Sequence, residues 1–341
     1  MNTRIIENVD ENALREAAAI IKNGGLVAFP TETVYGLGAN ALADTAAKKV
    51  YEAKGRPSDN PLIIHLADAA DAEKYCITND VFDRLASLYM PGPITVILPK
   101  KSIIPDGVTG GLSTVAVRVP SNPIAHSLIE LSGCPIAAPS ANISGKPSCT
   151  TFRHVIEDMC GRIDMILNGG DCEIGLESTI VAINGNDLKL LRPGKITKES
   201  LENAGFSVSL DKAVTEKLSD SERPLAPGMK YRHYAPNADV ILVAGCDSDV
   251  EKYMFDRSDD SSVAFICFDE YHKLAECKNA VFIGSECDLD QQARKIFDIL
   301  REFDSQPEIK TVYAKMPSQN GIGLAIYNRL LKAAGYRIIR I

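Results

Sequence analysis

Tryptophan is absent from this 341-residue sequence, and Phe and Tyr bring the aromatic share only to 6%. With so few rings, no stretch interleaves aromatic with basic residues in the way a single-stranded nucleic-acid platform requires. Positive charge is also in deficit. Lys and Arg number 37 against 45 Asp and Glu, a net charge of -8, which excludes a histone-like coat while leaving room for a local basic cleft. No apolar run approaches the roughly 18 residues of a membrane span. The opening Met1 to Asp10 is polar and of mixed charge. These features predict a cytoplasmic protein with no secretory signal and no membrane contact. Nine cysteines are present and none forms a Cys-x-x-Cys pair, so they read as reduced thiols. The even spacing of Cys267, Cys277 and Cys287 reads as coincidence rather than a metal site, since His272 is the only imidazole nearby. The P-loop, His-Glu-x-x-His and Gly-x-Ser-x-Gly signatures are all missing.

What remains is an ordinary globular composition, 45% hydrophobic and 24% charged, at a length that suggests two domains. Helical spacing over Glu11 to Lys22 ends at Asn23-Gly24-Gly25, and Leu26 to Phe29 is a strand stopped by Pro30. Asp44 is expected to cap a helix running to Ala53, and a further helix is expected over Val81 to Tyr89. Strands are expected at Leu62–Leu66, Ile94–Leu98, Val115–Val119, Pro135–Ala138, Met165–Leu167, Thr179–Ile183 and Leu188–Leu191. The last two are joined by the hairpin signal Asn184-Gly-Asn-Asp187, which makes the sheet mixed. Residues 1–205 are read as the first domain. The aperiodic stretch 206–238, rich in Ser, Lys, Asp and Pro, is read as a linker that is either a tether or a functional lid. Residues 239–341 alternate strand and helix signals and form a small parallel α/β domain.

Gly36-Leu-Gly-Ala-Asn-Ala41 matches a dinucleotide-binding pattern, but Pro30 to Tyr35 separates it from the strand and the next helix starts only near Asp44. A Rossmann turn has neither feature. More telling is where polar residues gather. They follow strand ends or helices beside Gly and Pro, in Pro30–Gly36, Lys54–Pro61, Pro139–Ser148, Glu177–Ile180 and Leu191–Gly194, where open α/β sheets place ligands. Each loop alone reads equally well as a turn. Lys54 and Arg56, one residue apart before Pro57, suit a polyphosphate or a solvated basic turn. Arg118 stands in the apolar run Val115-Ala-Val-Arg-Val119 and must pair with an anion or reach a cleft. His65, in Ile63-Ile-His-Leu66, is either a core histidine or a site residue.

Seven segments, in order, resemble the signatures of the threonylcarbamoyl-AMP synthase family in its two-domain form, with an N-terminal YrdC-like domain. They are Gly24–Gly38, Lys54–Leu62, Pro139–Gly145, Glu177–Ile180, Leu191–Gly194, Lys230–Pro236 and Gly321–Leu330. The resemblance spans essentially the whole chain. It implies an α/β fold: a YrdC-like mixed twisted sheet with helices, plus a small C-terminal Rossmann-like parallel domain. It implies an enzyme that joins L-threonine, bicarbonate and ATP into threonylcarbamoyl-AMP with release of pyrophosphate, with magnesium on the ATP phosphates and no direct protein ligand to it. The product would pass to the machinery that builds N6-threonylcarbamoyladenosine beside the tRNA anticodon, with at most weak RNA contact. Carried over by motif, Lys54, Arg56, Ser140 and Asn142 are the expected catalytic group. Asn60, Thr114, Ser148 and Arg192 join them around ATP. Thr33, His65, Arg118, Ser178 and the backbone at Ala138 are expected to hold threonine. Arg232, His233 and Tyr234 would close over the nucleotide. Ala325 departs from the pattern, where Glu is expected. Two other readings of the same domain are a carbamoyl transferase, which would carry Cys-x-x-Cys segments missing here, and an RNA-binding module.

Overall fold

The computed structural model describes residues 2–219, 222, 224–229 and 234–341. They fall into two compact units. The first comprises 2–144, 148–214, 218–219, 222 and 224–229, and the second 145–147, 215–217 and 234–341.

The first unit is built on a sheet whose described strands are β1 (Arg4–Ile6), β2 (Val27–Phe29), β3 (Gly36–Asn40), β4 (Ile63–His65), β5 (Ile94–Pro99), β6 (Thr114–Arg118), β7 (Ile136–Ala138), β8 (Met165–Leu167), β9 (Thr179–Asn184), β10 (Asp187–Arg192) and β11 (Val208–Leu210). Their spatial order is β1-β8-β2-β3-β7-β4-β6-β5-β9-β10-β11. Parallel and antiparallel pairs alternate through the centre: β4 runs parallel to β6 and antiparallel to β7, and β5 runs antiparallel to β6 and parallel to β9. The sheet is therefore mixed, as the β9–β10 hairpin requires.

Period-two alternation gives the sheet two distinct faces. Ile64, Val117, Val96 and Val181 point into the larger core, under the helices Asp44–Lys54, Asp80–Tyr89 and Phe152–Met159. Ile63, Ala116, Ile97 and Ile180 point to the other face. There they meet Ala213, Leu218, Ala226 and Met229, which come from the stretch expected to be an aperiodic linker. The start of that stretch is ordered as β11, parallel to β10.

Two local expectations change. Asp44 is the first residue of its helix, and Ala43 caps it without a side-chain bond, because the Asp44 carboxylate instead accepts from Gly107 N–H at 3.2 Å. Gly36–Asn40 is a strand, antiparallel to β2, so the Gly-x-Gly-x-x-Ala pattern lies in extended backbone and not at a helix start. Its glycines answer to packing. A Cβ at Gly38 would lie 2.8 Å from the Phe29 ring and 2.9 Å from Ile136 Cγ2.

The second unit carries β12 (Asp239–Ala244), β13 (Val263–Cys267), β14 (Ala280–Phe282), β15 (Thr311–Lys315) and β16 (Ile338–Arg340), ordered β14-β13-β15-β12-β16 and parallel throughout. Helices Leu289–Glu302 and Ile322–Ala333 pack on it, the first capped by Asp288. Ala325 is fully buried in the second of these.

Candidate functional site

The middle of the first sheet places the expected threonine residues side by side. His65 ends β4, Arg118 ends β6, and the two are register partners in adjacent strands. On the other side of β4, His65 stands opposite Ile136 and Ile63 opposite Ala138. All these positions share the face opposite the larger core, because Ile63 and His65, Ala116 and Arg118, and Ile136 and Ala138 are each two residues apart.

His65 is buried, and its Nδ1 lies 3.3 Å from the Ile136 carbonyl. A carbonyl only accepts, so Nδ1 carries the proton and Nε2 presents a lone pair. Burial, with the Arg118 charge adding to it, lowers the His65 pKa to about 3, so the ring is neutral at physiological pH. Arg118 is the buried cation whose partner the sequence left open. Its Nη2 donates to Glu32 Oε1 at 2.7 Å, with both side chains nearly inaccessible. Glu32 Oε2 accepts from Ser121 N–H at 3.3 Å. Arg118 Nε remains buried with no partner among the described residues.

Glu32 lies in the turn that follows Pro30. Thr31 shapes that turn by donating to the Val34 carbonyl at 2.6 Å and accepting the Val34 N–H at 3.2 Å. Thr33 Oγ1 lies 2.8 Å from Thr31 Oγ1 and is fully buried. Tyr35 closes the segment, its hydroxyl donating to Gly170 O at 2.7 Å and accepting from Gly169 N–H at 3.0 Å. Backbone bonds from Tyr35 and Leu37 to Cys149 and Pro139, and from Ala141 to Tyr35, stitch this loop to the 139–149 loop.

A second group gathers around that loop. Lys54 ends its helix with its ammonium buried, bonded to the Ser140 carbonyl, the Asn142 carbonyl at 2.5 Å and Asn142 Oδ1 at 3.4 Å. Through these bonds Lys54 fastens the loop. Ser140 Oγ bonds Asn142 Oδ1, and Asn142 Nδ2 donates to the Ile143 carbonyl at 2.8 Å. Asp158 holds the same loop from below, accepting from Ile143 N–H at 3.1 Å. Arg56 is buried and donates to the carbonyls of Asn60 and Pro61 at 3.4 and 3.2 Å. Asn60 Oδ1 is buried without a partner among the described residues. Thr114 begins β6, the strand that ends in Arg118.

A third group spans β5, β9 and β10. Arg192 Nε donates to the Ser178 carbonyl at 3.0 Å and its Nη2 to Ser178 Oγ at 3.1 Å. Ser178 Oγ also lies 2.7 Å from Thr95 Oγ1. Ser148 Oγ donates to Glu177 Oε1 at 2.7 Å.

Thus Thr33, His65, Arg118 and Ala138 are brought together through the 31–35 turn and the central strands. Lys54, Ser140 and Asn142 form one bonded group, Arg56 and Asn60 another, and Ser178 and Arg192 a third. Tyr234 belongs to the second unit, where its ring centroid is 5.1 Å from that of Phe297. Arg232 and His233 lie outside the described residues. Sequence reasoning missed the roles of Glu32, Thr95, Asp158 and Glu177. Glu32 and Glu177 sit within the quoted motifs, and Thr95 had a signal as a lone hydroxyl in the apolar run Ile94–Leu98.

Comparison with known proteins gives the following. The family model described as Telomere recombination, which covers Sua5, YciO and YrdC, matches residues 19–194. That of the C-terminal domain of threonylcarbamoyl-AMP synthase matches residues 196–335. A threonylcarbamoyl-AMP synthase of Pyrococcus abyssi is 44% identical, the match covering 98% of each chain. One of Bacillus subtilis is 42% identical over 98% of this chain and 96% of the relative. The crystal structure of P. abyssi Sua5 complexed with L-threonine superposes with a TM-score of 0.92 at 43% identity, covering 100% of this chain and 99% of that one.

Proposed function

Because the chain belongs to the threonylcarbamoyl-AMP synthase family, we propose that it joins L-threonine, bicarbonate and ATP into threonylcarbamoyl-AMP, releasing pyrophosphate, for the N6-threonylcarbamoyladenosine modification of tRNA. The observation that carries this reading is the match along both units to relatives of that name. The grouping of the described site residues on the first sheet supports it.

The neutral amine of threonine takes up carbon dioxide, in equilibrium with bicarbonate, to give N-carboxythreonine. Its carbamate oxygen attacks the α-phosphorus of ATP, and the bond to pyrophosphate breaks. Two anions must meet, so the protein's task is to position them and neutralise charge. Arg118, with its unpartnered Nε, takes the threonine carboxylate while Glu32 steadies the other end of the fork. Thr33, His65, Ser178 and the backbone at Ala138 complete the threonine pocket. The lone pair of the neutral His65 ring suits an O–H or N–H of the substrate. Arg56 and Arg192 face the nucleotide phosphates. Lys54 adds its charge from within the 140–142 loop whose shape it fixes, and Ser140, Asn142 and Ser148 line that loop. Asn60 offers its open amide oxygen to a donor on the nucleotide, and Thr114 stands nearby on β6. Arg232, His233 and Tyr234 serve as the closing segment that keeps water from the mixed anhydride. We read residues 1–205 as the catalytic domain and 239–341 as the small domain, joined by 206–238, of which β11 and residues Ala213, Leu218, Ala226 and Met229 fold with the first unit.

Magnesium fits as a passenger on the nucleotide. Glu32 is bonded to Arg118 and Glu177 to Ser148, so these carboxylates are engaged with the protein's own groups. When bound, magnesium supplies charge neutralisation on the phosphates. No described helix is long and apolar enough to cross a membrane, and we place the enzyme in the cytoplasm, with the tRNA threonylcarbamoyl-transfer machinery as recipient of its product.

The test is pyrophosphate release from ATP and magnesium by the purified chain, omitting threonine and bicarbonate in turn. Release should need both. Release with neither would contradict the proposal.

A further inference from the structure

Ser178 is expected to touch threonine, yet a serine hydroxyl can give or take a hydrogen bond, and which it does decides what part of the substrate it reads. Its surroundings settle the matter. A hydroxyl has one proton and two lone pairs. Arg192 Nη2, which can only donate, fills one lone pair of Ser178 Oγ at 3.1 Å. Thr95 Oγ1, on β5, lies 2.7 Å away, and the bond between the two hydroxyls can run in either direction. Thr95 and Ser178 are both fully buried, and the Thr95 hydroxyl has no other partner among the described residues.

If Ser178 donates, the Thr95 proton is stranded in a dry interior whatever binds at Ser178, which is costly. If Thr95 donates, both lone pairs of Ser178 are filled and its own proton is left for the ligand. Only this second arrangement is completed by a substrate, and only by an oxygen that accepts.

We infer that Thr95 is a positioning residue for the synthase reaction: with Arg192 it makes Ser178 a pure donor, which selects an anionic oxygen of threonine, of its carboxylate or nascent carbamate, and refuses the ammonium. The inference rests on the threonine site proposed above. It also links the two substrates, because Arg192, which faces the nucleotide, and Thr95 share the one hydroxyl.

The experiment uses the full-length chain with Thr95→Val, Thr95→Ser and Ser178→Ala, reading the KM for threonine and for ATP, kcat and the melting temperature. Val matches Thr in shape and favours strands, so Thr95→Val should melt no lower than the parent while the KM for threonine rises about tenfold, the worth of one good hydrogen bond. Thr95→Ser, which keeps the hydroxyl, should recover most of that affinity. A threonine KM unchanged in Thr95→Val but raised in Ser178→Ala would overturn the inference and leave the threonine site standing. An unchanged KM in Ser178→Ala would instead remove the threonine site itself. Equal impairment in Thr95→Val and Thr95→Ser would also overturn the inference, because the hydroxyl would not be the operative group. Should Thr95→Val fail to fold, Thr95→Ala makes the same comparison.

Discussion

Arg56 and Arg118 are both buried, but they are kept differently. Arg118 has a carboxylate partner in Glu32, whereas Arg56 donates to the carbonyls of Asn60 and Pro61. A guanidinium fork at this loop suits a triphosphate. Arg56→Ala should therefore lower the rate of pyrophosphate release about a hundredfold, the usual cost of removing one preorganised charge-stabilising donor, and a wild-type rate in that variant would refute the role. His65 carries a prediction about pH. Its folded pKa is about 3, lowered by burial and by Arg118, against about 6.5 in the unfolded chain. Between those values the unfolded state binds one more proton. This contribution to stability is present above pH 6.5 and is lost as pH falls toward 3, by up to about 1.4 kcal/mol per pH unit. His65→Asn, whose amide can still donate to the Ile136 carbonyl, should show an acid limb shallower by about one proton when unfolding is followed by denaturant titration across that range. An identical slope would mean the ring is charged in the folded protein.

At the level of elements, the close approach of β2, β3 and β7 sets the geometry behind the site. Phe29 lies edge-on to His65, with centroids 6.2 Å apart, and its ring fills the space over Gly38. Gly38→Ala should cost about 1–3 kcal/mol by overpacking and raise the threonine KM by displacing Phe29 and Ile136. Unchanged stability in chemical denaturation would contradict it. The same glycines show why β3 was not legible in the sequence. Gly36-Leu-Gly-Ala-Asn has no alternation of apolar and polar residues, and its need for glycine comes from a ring in another strand. Strands such as β8, and the helix Glu11–Lys22, were legible because apolar spacing and end signals agree locally. The helices Pro123–Ser132 and Phe152–Met159 were passed over, although Asn122 and Thr151 cap them. The motifs named the residues of the site through the resemblance. Their partners stayed hidden: Glu32 with Arg118 and Thr95 with Ser178 are separated by more than eighty residues in sequence, and only strand register joins them.

For the whole molecule, a net charge of -8 surrounds a site whose task is to unite anions. The account places the needed positive charge in a few buried side chains, Lys54, Arg56, Arg118 and Arg192, each fixed by loops or strand ends of the first unit. The chain is expected to make a defined small-molecule product without any nucleic acid present. The most direct test is mass spectrometry of the product formed by the full-length protein from L-threonine, ATP, magnesium and carbon-13 bicarbonate. The expected product is a threonylcarbamoyl-AMP ion that carries the label and is absent without threonine. Pyrophosphate release with AMP alone, or a threonine adduct without the label, would contradict it.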